Sequence, residues 1–339
     1  MAQVDSMKIT VLSAGTWGIT LAALLEGKGH AVRVWEFSPE VVRTLSETRR
    51  HPKLPEFEVP AGLMLTTDMA QALEGAQAVV CVVPAAHMRT TCRVLADSGY
   101  AGQPVVICTK GIEKDSLVLM TDVAHQELGP AATERLAVLT GPSHAEEVSR
   151  GLPTVVSAVA EDPRLAEQIQ QMFITPRFRV YSHTDIRGVE LGGALKNVIA
   201  IACGISDGLG NGDNAKAALI TRGLHEILRL GVALGALPET FFGLTGLGDL
   251  VVTAMSRHSR NWKFGSLVGS GVPPQEALEQ VGMVVEGHYT VQATVALARR
   301  EGVEMPISEA VHQVLFEGLP PADGVAALMM RQPKSETAR

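Results

Sequence analysis

The chain of 339 residues has few cysteines and no metal-binding motif. Its 4 cysteines include no C-x-x-C pair, and they stand at Cys81, Cys92, Cys108 and Cys203. We therefore expect reduced thiols in a cytoplasmic protein rather than a disulfide framework or a zinc ribbon. No pair of histidines has H-E-x-x-H spacing, so no bound metal is predicted.

The chain also lacks an excess of positive charge and a long apolar run. Against 36 Asp and Glu there are only 29 Lys and Arg, so the formal net charge is −7, which is unsuited to non-specific nucleic-acid binding. No apolar run approaches the roughly 20 residues that a membrane helix needs, so no membrane span is expected. The first residues, MAQVDSMKIT, contain an aspartate and no apolar stretch, so a signal peptide is not expected.

Hydrophobic residues make up 46% of the chain, which is ample for a core, and their pattern changes along the chain. In the first half, short apolar runs alternate with helical patterns, and the predicted strands cover residues 8–12, 31–35, 78–83, 105–108, 137–139 and 154–158. Strands without polar alternation, separated by helices, are typical of a parallel sheet covered on both faces. The segment 51–60 contains three prolines and is predicted to be a loop.

Beyond about residue 182 the apolar residues recur at helical spacing, and a long helix is predicted over 215–234. We therefore predict an α/β protein with an N-terminal Rossmann-type, mostly parallel sheet and a C-terminal all-α domain. The predicted ranges are a dinucleotide-binding domain at 1–185, a helical substrate and catalytic domain at 186–330, and a polar tail at 331–339.

The segment SAGTWG lies between the first predicted strand and the first predicted helix. In dinucleotide-binding proteins, backbone N–H groups and a helix N-terminus at this place bind the pyrophosphate. The usual pattern is G-x-G-x-x-G, and Ser13 replaces its first glycine at the cost of modest strain. Gly15 would let the backbone approach phosphate, and Gly18 would let helix and strand pack closely. An ordinary strand-to-helix turn is the alternative interpretation.

Glu36 ends the second predicted strand, 21 residues after Gly15. A carboxylate there accepts hydrogen bonds from the adenosine ribose. It would repel a 2′-phosphate, and Arg33 lies inside the strand, so the pattern favours NAD over NADP. A surface charge is the alternative interpretation of Glu36, and Lys28 or Arg43 could still support NADP.

Two loops that follow predicted strands carry polar groups. TKGIE puts Lys110 at the carboxyl end of the sheet, where ligands bind in such folds. GPSHAEE puts Ser143 and free N–H groups at another strand end, which suits a small polar ligand. The alternatives are a solvated lysine and a helix cap at Ser143, with Glu146 completing a capping box.

Two segments of the helical half could carry chemistry. Lys196 lies in the apolar stretch LKNVIAIA, where burial would lower its pKa as a general base requires, unless its side chain reaches water. In GLGDL, Asp249 could orient a lysine. The segment SRHSRN contains three hydrogen-bond donors suited to phosphate, namely Ser259, Arg260 and Asn261. A solvated basic patch is the alternative interpretation.

Over nearly its whole length the chain resembles the bacterial-type NAD(P)-dependent sn-glycerol-3-phosphate dehydrogenases. The motifs that carry the resemblance are, in order, SAGTWGITLA, CTKGIE, GPSHAEEV, LKNVIAIACGISDGLGNGDNAKAALITRG, GLTGLGDL with SRHSRN, and VVEGHYT. It implies reversible hydride transfer between NAD(P)H and dihydroxyacetone phosphate, a small phosphorylated substrate, which yields glycerol 3-phosphate for phospholipid synthesis. It also implies a homodimer.

The resemblance implies a role for each matching residue. Lys196 is the catalytic acid/base and Asp249 its partner. Lys110 and Arg260 touch both the cofactor and the substrate. The further substrate-binding residues are Gly141, Ser143, Ser259 and Asn261. The cofactor-binding residues are, besides Lys110 and Arg260, the loop residues Ser13, Gly15, Thr16, Trp17 and Gly18, then Glu36, Ala145, Val284 and Glu286.

The chain departs from this family at four places. The family usually has glycine at Ser13, an aromatic residue at His144 and often arginine at Phe37, and the segment 51–60 matches its family form poorly. Because Phe37 supplies no cation beside Glu36, we expect NADH to be preferred over NADPH.

Two other functions remain open from the residues. A different hydroxyacid dehydrogenase would share the two domains and the lysine, but its substrate carboxylate would not need SRHSRN. A nucleotide sensor without catalysis would need the phosphate loop and Glu36, but would have no use for Lys196, Asp249 and Arg260 together. The presence of all three favours an enzyme.

Overall fold

The computed structural model describes residues 6–333 and 335–336 of the chain. Its strands are β1 (Lys8–Leu12), β2 (Ala31–Trp35), β3 (Arg50–His51), β4 (Leu54–Glu58), β5 (Met64–Thr66), β6 (Ala78–Cys81), β7 (Val105–Ile107), β8 (Leu136–Thr140), β9 (Thr154–Val159) and β10 (Phe178–His183). The helices among and after them are α1 (Thr16–Gly27), α2 (Pro39–Thr48), α3 (Met69–Leu73), α4 (Met88–Asp97), α5 (Met120–Leu128), α6 (Ala145–Val148), α7 (Pro163–Phe173), α8 (Ile186–Gly208), α9 (Gly212–Ala233), α10 (Asp249–Met255), α11 (Arg260–Gly269), α12 (Pro274–Val281), α13 (Glu286–Glu301), α14 (Pro306–Phe316) and α15 (Pro321–Met329).

Eight of the strands in the described part of the chain form one sheet in the order β10-β9-β8-β7-β6-β1-β2-β5. All neighbours in it pair in parallel except β8 and β9, which are antiparallel. Helices α1 and α7 pack on one face, and α3, α4 and α5 pack on the other. The predicted mostly parallel, doubly covered sheet is confirmed.

The sheet places five loops at one edge. The parallel strands β1, β2, β6, β7 and β8 all end there, and β1 lies where the strand order reverses, between β6 and β2. In open α/β sheets, ligands bind in the crevice at this switch point. The segments that follow these five strands are therefore brought together at one crevice.

Asp185 marks the change from sheet to helices. Its side chain accepts a hydrogen bond from the N–H of Gly188 at 2.9 Å and so caps α8, two residues after β10 ends. Every residue of α8 from Gly188 to Ser206 is buried. By length and apolar composition α8 could cross a membrane, but all of its apolar window is buried within the protein. It is the central helix of the helical half.

Helices α8 and α11 pack backbone against backbone through glycines. A Cβ atom on Gly204 would lie 2.2 Å from the carbonyl oxygen of Trp262, and one on Gly265 would lie 2.2 Å from that of Ile201. Gly208 and Gly269 repeat this relation one turn further on. No larger residue fits at these four positions, and α11 is thereby held tightly against α8.

Several element boundaries differ from the sequence prediction. The strand β10 was missed, because its edge position leaves alternate residues exposed and gives no continuous apolar run. The long helix α9 begins at Gly212 rather than at residue 215, and β6 ends at Cys81 rather than at residue 83. The loop predicted over 51–60 contains the antiparallel hairpin of β3 and β4. Of the predicted tail, residues 334 and 337–339 lie outside the described residues.

Candidate active site

A cavity of about 610 Å³ lies between the carboxyl edge of the sheet and the helical half. Both halves line it. From the sheet half come Ser13, Gly15, Thr16, Trp17, Gly18, Glu36, Lys110, Ser143 and Ala145, and from the helical half Lys196, Asp249, Ser259, Arg260, Asn261, Val284 and Glu286. Of the site residues expected from the sequence, Gly141 alone is not among the lining residues.

The phosphate loop has the geometry that a pyrophosphate needs. Gly15 is the N-cap of α1 and provides no side-chain cap, so the first N–H groups of the helix are left for a ligand. A Cβ atom on Gly18 would lie 2.1 Å from the carbonyl oxygen of Ser13, so only glycine allows this close packing. Ser13 has φ of 88°, a left-handed conformation that favours glycine and strains a serine.

The carboxylate of Glu36 accepts hydrogen bonds from the phosphate loop. Its Oε2 accepts a hydrogen bond from the N–H of Ala14 at 2.8 Å and one from the hydroxyl of Ser13 at 3.4 Å, and its Oε1 accepts from the N–H of Ser38 at 3.2 Å. The carboxylate thus braces the phosphate loop while lining the cavity. Each carboxylate oxygen can accept a further hydrogen bond, so the expected ribose contacts remain compatible with this role.

Two lysines share one buried carboxylate at the inner end of the cavity. Asp249 begins α10, after a turn of π-helix at Leu244–Gly248, and is 2% exposed. Its Oδ1 accepts a hydrogen bond from Lys196 Nζ at 2.5 Å, and its Oδ2 accepts one from Lys110 Nζ at 2.7 Å. Lys196 is 5% exposed, so the alternative of a side chain reaching water is wrong.

The pKa values of this cluster are set by burial and by the neighbouring charges. Burial lowers the pKa of Lys196 to about 7, the charge of Asp249 opposes this shift, and the charge of Lys110 adds to it. Burial acts to raise the pKa of Asp249, but the two lysines together outweigh it and hold that pKa below its usual value. An amine with a pKa near 7 suits general acid/base catalysis at neutral pH.

The donors of SRHSRN meet at the N-terminus of α11. Ser259 caps the helix by accepting a hydrogen bond from the N–H of Trp262 at 3.2 Å. Asn261 is buried, donates to Asn197 Oδ1 at 2.9 Å and accepts from the N–H of Gly287 at 2.9 Å. Together with the cation of Arg260, the free N–H groups of this helix end are suited to a phosphate.

The segment after β8 joins the lysine cluster through its backbone. The carbonyl oxygen of Gly141 accepts hydrogen bonds from Lys110 Nζ at 3.3 Å and from the Ser143 hydroxyl at 3.0 Å. The alternative interpretation of Ser143 as a helix cap is wrong, because α6 begins at Ala145 and its N-cap is His144, without a side-chain hydrogen bond. The hydroxyl turns back to the strand end instead, and the capping box with Glu146 does not form.

The loop before α13 lines the cavity and is tied to both halves of the protein. Arg260 Nη1 donates to the carbonyl oxygen of Val284 at 3.1 Å. Glu286 accepts a hydrogen bond from the N–H of Ala85 at 3.3 Å, which links α13 to the loop after β6. Burial raises the pKa of Glu286 to about 7.

Two residues around the lysine cluster and the phosphate anchor were not predicted from the sequence. Thr253 accepts a hydrogen bond from Lys196 Nζ at 2.7 Å, and Asn197 holds Asn261. Both line the cavity. The spacing of four residues between Asp249 and Thr253 puts them on one face of a helix, which is the signal that could have found Thr253. His144 and His258, whose ring centroids lie 5.9 Å apart, also line the cavity.

These residues fit a nicotinamide dinucleotide. The uncapped helix end, the close approach at Gly18 and the carboxylate at the end of β2 are the features that bind the pyrophosphate and ribose. In the described residues, no three His, Cys, Asp or Glu side chains are grouped as a metal site requires. The four cysteines are free and buried.

Comparison with known proteins gives matches in both halves. Residues 8–166 match the model of the NAD-dependent glycerol-3-phosphate dehydrogenase N-terminus, and residues 185–326 match that of the C-terminus. A glycerol-3-phosphate dehydrogenase (NAD(P)+) of Bacillus pumilus is 47% identical over 325 residues, which are 96% of this chain and 94% of that protein. The relative of the same name from Bacillus subtilis is 46% identical over 325 residues, again 96% of this chain and 94% of that protein.

A solved structure also matches the whole molecule. The crystal structure of glycerol-3-phosphate dehydrogenase from Coxiella burnetii superposes with a TM-score of 0.91 and is 39% identical. The match covers 96% of this chain and 99% of that one. The similarity therefore extends over the sheet, the helical half and the cavity between them.

Proposed function

Because the chain belongs to the NAD-dependent glycerol-3-phosphate dehydrogenase family, we propose that it interconverts dihydroxyacetone phosphate and sn-glycerol 3-phosphate with NAD(P)H. In the reducing direction it would supply glycerol 3-phosphate for phospholipid synthesis. The observation that carries this proposal is the cluster of Lys196, Asp249 and Lys110 at the inner end of a cavity that begins at the phosphate loop.

The dinucleotide would be held by the phosphate loop and by three residues around it, and when bound it would supply the hydride for C2 of the substrate. The residues that would hold it are Ser13, Gly15, Thr16, Trp17 and Gly18 of the loop, together with Ala145, Val284 and Glu286. Lys196 protonates the oxygen on C2 during reduction and takes that proton back during oxidation. One proton is thus consumed for each ketone reduced, and the pKa of Lys196 near 7 makes both forms of the amine available. The buried position keeps competing water away from this exchange.

Asp249 and Lys110 set the state of this lysine. The hydrogen bond from Lys196 Nζ to the Asp249 carboxylate fixes the ammonium in one orientation. The hydroxyl of Thr253 donates to the backbone carbonyl oxygen of Asp249 and belongs to the same network. Lys110 keeps Asp249 ionised and brings a second positive charge to the substrate oxygen. This charge favours the alkoxide that develops during reduction.

The phosphate group would bind at the N-terminus of α11. Ser259, Arg260 and Asn261 supply the donors, and the backbone at Gly141 and Ser143 closes the other side. Because α11 is packed closely on α8, the phosphate anchor and Lys196 are held at a constant separation. Such positioning of the reacting carbon can be worth several kcal/mol.

We infer that NADH is preferred over NADPH. Glu36 follows β2 and lines the cavity, at the strand end where dinucleotide folds bind the adenosine ribose, so its charge would repel a 2′-phosphate. Most nearby cations are engaged elsewhere. Arg33 pairs with Glu74, and Lys28 donates to two carbonyl oxygens at the end of α7. Arg49 and Arg50 donate to carbonyl oxygens of their own loop. Lys53 lines the cavity, and its Nζ donates to the carbonyl oxygen of Gly282 at 3.3 Å.

We further propose a division into a dinucleotide-binding domain of residues 1–185 and a helical domain of residues 186–330. The family resemblance supports a homodimer in the cytoplasm. Light scattering of the purified protein tests the dimer, and a mass of one chain at micromolar concentration would contradict it.

Oxidation of NADH with dihydroxyacetone phosphate, measured beside dihydroxyacetone, pyruvate and ketopantoate, tests the function. We expect the phosphorylated ketone to have by far the highest kcat/KM, because it alone reaches the donors of α11. A carboxylated ketone that is reduced faster would support another hydroxyacid dehydrogenase. Binding of NADH without turnover of any ketone would support a nucleotide sensor.

A further inference from the structure

Glu190 is a buried carboxylate that takes no part in the chemistry proposed above. It lies in α8, six residues before Lys196, and is 6% exposed. Its Oε1 accepts a hydrogen bond from the N–H of Thr121 at 3.0 Å, and its Oε2 accepts one from the hydroxyl of the same residue. Burial raises its pKa to about 7, although both hydrogen bonds act to lower it. Burying a carboxylate costs free energy, so a buried glutamate at this position indicates a specific role for its contact with Thr121.

Thr121 belongs to the segment that carries Lys110. This segment, residues 109–121, runs into the first turn of α5, which contains Thr121, and is called the Lys110 hairpin. Ile112 and Leu119 form a β-bridge across it, and the N–H of Glu113 donates to Val118 at 2.9 Å. Lys110 lies two residues before the bridge and Thr121 lies two residues after it. The two residues are therefore at the two open ends of one tight hairpin.

Helix α8 contacts the hairpin at both of these ends. Glu190 holds Thr121, and one turn later Gly193 lies against the side chain of Lys110. A Cβ atom on Gly193 would lie 3.6 Å from Lys110 Cγ. One further turn brings α8 to Lys196 in the site itself. The same helix thus carries the catalytic lysine and supports the segment that delivers the second lysine.

The apolar side chains of the hairpin, Ile112, Leu117 and Leu119, pack in the core of the helical half. Apart from those of Lys110, its other hydrogen bonds across elements are to the sheet half. Arg89 of α4 forms two hydrogen bonds to Glu113, at 2.8 and 2.6 Å, and the Thr109 hydroxyl donates to the carbonyl oxygen of Val83 at 2.7 Å. These contacts fix the hairpin to the sheet. They do not fix it to the helices, where Asp249, the partner of Lys110, is located. The hydrogen bonds from Thr121 to Glu190 connect the sheet half to the helical half.

We propose that Glu190 is a positioning residue that keeps the Lys110 ammonium against Asp249. This inference rests on the proposed function, in which Lys110 contacts the substrate. Apolar packing is non-directional, so without the link at Thr121 the hairpin would be free to shift along α8. Lys110 Nζ would then leave the position 2.7 Å from Asp249 Oδ2 that the cluster requires.

The variant Glu190→Gln tests this, because glutamine keeps the shape but cannot accept the two Thr121 donors on two oxygens. Glu226→Gln is the matched control. Glu226 is also buried, in α9, and accepts hydrogen bonds from the N–H groups of Ile307 and Ser308 at the start of α14. It lies outside the cavity lining. We expect both variants to lower Tm, and only Glu190→Gln to lower kcat/KM for dihydroxyacetone phosphate, by about tenfold, as a small misplacement of a catalytic group does.

A double-mutant cycle with Lys110→Ala separates positioning from general destabilisation. If Glu190 acts through Lys110, Glu190→Gln changes kcat/KM by less than about twofold in the Lys110→Ala background. Losses that multiply would overturn the proposal, as would equal effects of the Glu190 and Glu226 variants on kcat/KM. If Glu190→Gln does not fold, Thr121→Val replaces it, and Thr121→Ser, which keeps the hydroxyl, is expected to retain wild-type kcat/KM.

A measurement without turnover distinguishes this inference from the proposed function. Acetylation of Lys110 by a succinimidyl ester, followed by peptide mass spectrometry, reports how firmly its ammonium is held, with Lys8 of β1 as an internal reference. We expect Glu190→Gln to raise the acetylation rate of Lys110 several-fold and Glu226→Gln to leave it unchanged. If the wild-type protein does not reduce dihydroxyacetone phosphate, the proposed function fails. The acetylation rates still decide the role of Glu190, and an unchanged rate in Glu190→Gln refutes it.

Discussion

Replacing Asp249 by asparagine removes the single negative charge between two ammonium groups. Its carboxylate lies 2.5 Å from Lys196 Nζ and 2.7 Å from Lys110 Nζ, and asparagine keeps nearly the same shape. The loss of charge favours the neutral amine, so the pKa of Lys196, already lowered to about 7, falls further. Two unit charges about 4 Å apart interact by about 4 kcal/mol at an effective dielectric constant of about 20, which corresponds to a shift of the order of three pKa units.

The sign of the effect differs between the two directions of the reaction. Reduction needs the ammonium form of Lys196, so its rate falls as pH rises through about 7 in the wild type. Oxidation needs the neutral amine, so its rate falls as pH drops through the same value. In Asp249→Asn both limbs move to lower pH. A fall of even one unit, from about 7 to about 6, lowers the protonated fraction at pH 7 from about a half to about a tenth, so reduction at pH 7 should fall about fivefold or more.

The assay is kcat/KM for dihydroxyacetone phosphate and for glycerol 3-phosphate across pH, with NADH and NAD+ respectively. Asp207→Asn is the control, because Asp207 also pairs with a lysine, Lys216, but lies outside the cavity lining. It should leave both limbs in place. Limbs of Asp249→Asn that stay at the wild-type pH, or move to higher pH, would refute the assignment of Lys196 as the titrating group.

Four other variants test separate parts of the protein. Lys196→Ala should lower kcat about 10²- to 10⁴-fold while NADH still binds, and a variant that keeps more than about a tenth of kcat excludes the lysine from catalysis. Arg260→Ala should raise KM and lower kcat for dihydroxyacetone phosphate, through a loss of roughly 1.5–3 kcal/mol, but have little effect on dihydroxyacetone; equal losses contradict a phosphate contact. Wild-type kcat/KM should be higher with NADH than with NADPH, and Glu36→Ser combined with Phe37→Arg should shift it toward NADPH; an unshifted ratio means that selectivity lies elsewhere. Gly265→Ala, whose Cβ would lie 2.2 Å from a carbonyl oxygen of α8, should lower the free energy of unfolding by about 1–3 kcal/mol in urea, and an unchanged midpoint would contradict the close packing of α8 and α11.

Much of the architecture could be predicted from local patterns. The apolar runs of β1, β2, β7, β8 and β9 identify buried strands, and their alternation with helices implies a parallel sheet. A parallel sheet places the ends of its strands at one edge, so SAGTWG, Glu36 and Lys110 could be assigned to one crevice before any distance was known. The edge strand β10 and the hairpin of β3 and β4 could not, because their exposed residues leave no such run.

Other properties of the site arise only when distant segments pack together. The sequence suggests a lysine in an apolar helix and an aspartate 53 residues later, but not whether burial or Asp249 dominates the pKa of Lys196. In the folded protein burial has the largest effect on the pKa of Lys196 and outweighs the opposing charge of Asp249. In the same way, Glu36 braces the phosphate loop, a contact that the sequence did not predict beside its expected ribose contacts. Ser143 turns away from the helix that it would cap in the alternative interpretation. Local propensity and periodicity are properties of neighbouring residues, whereas desolvation and short-range electrostatics depend on which distant atoms the folded chain brings within a few ångströms.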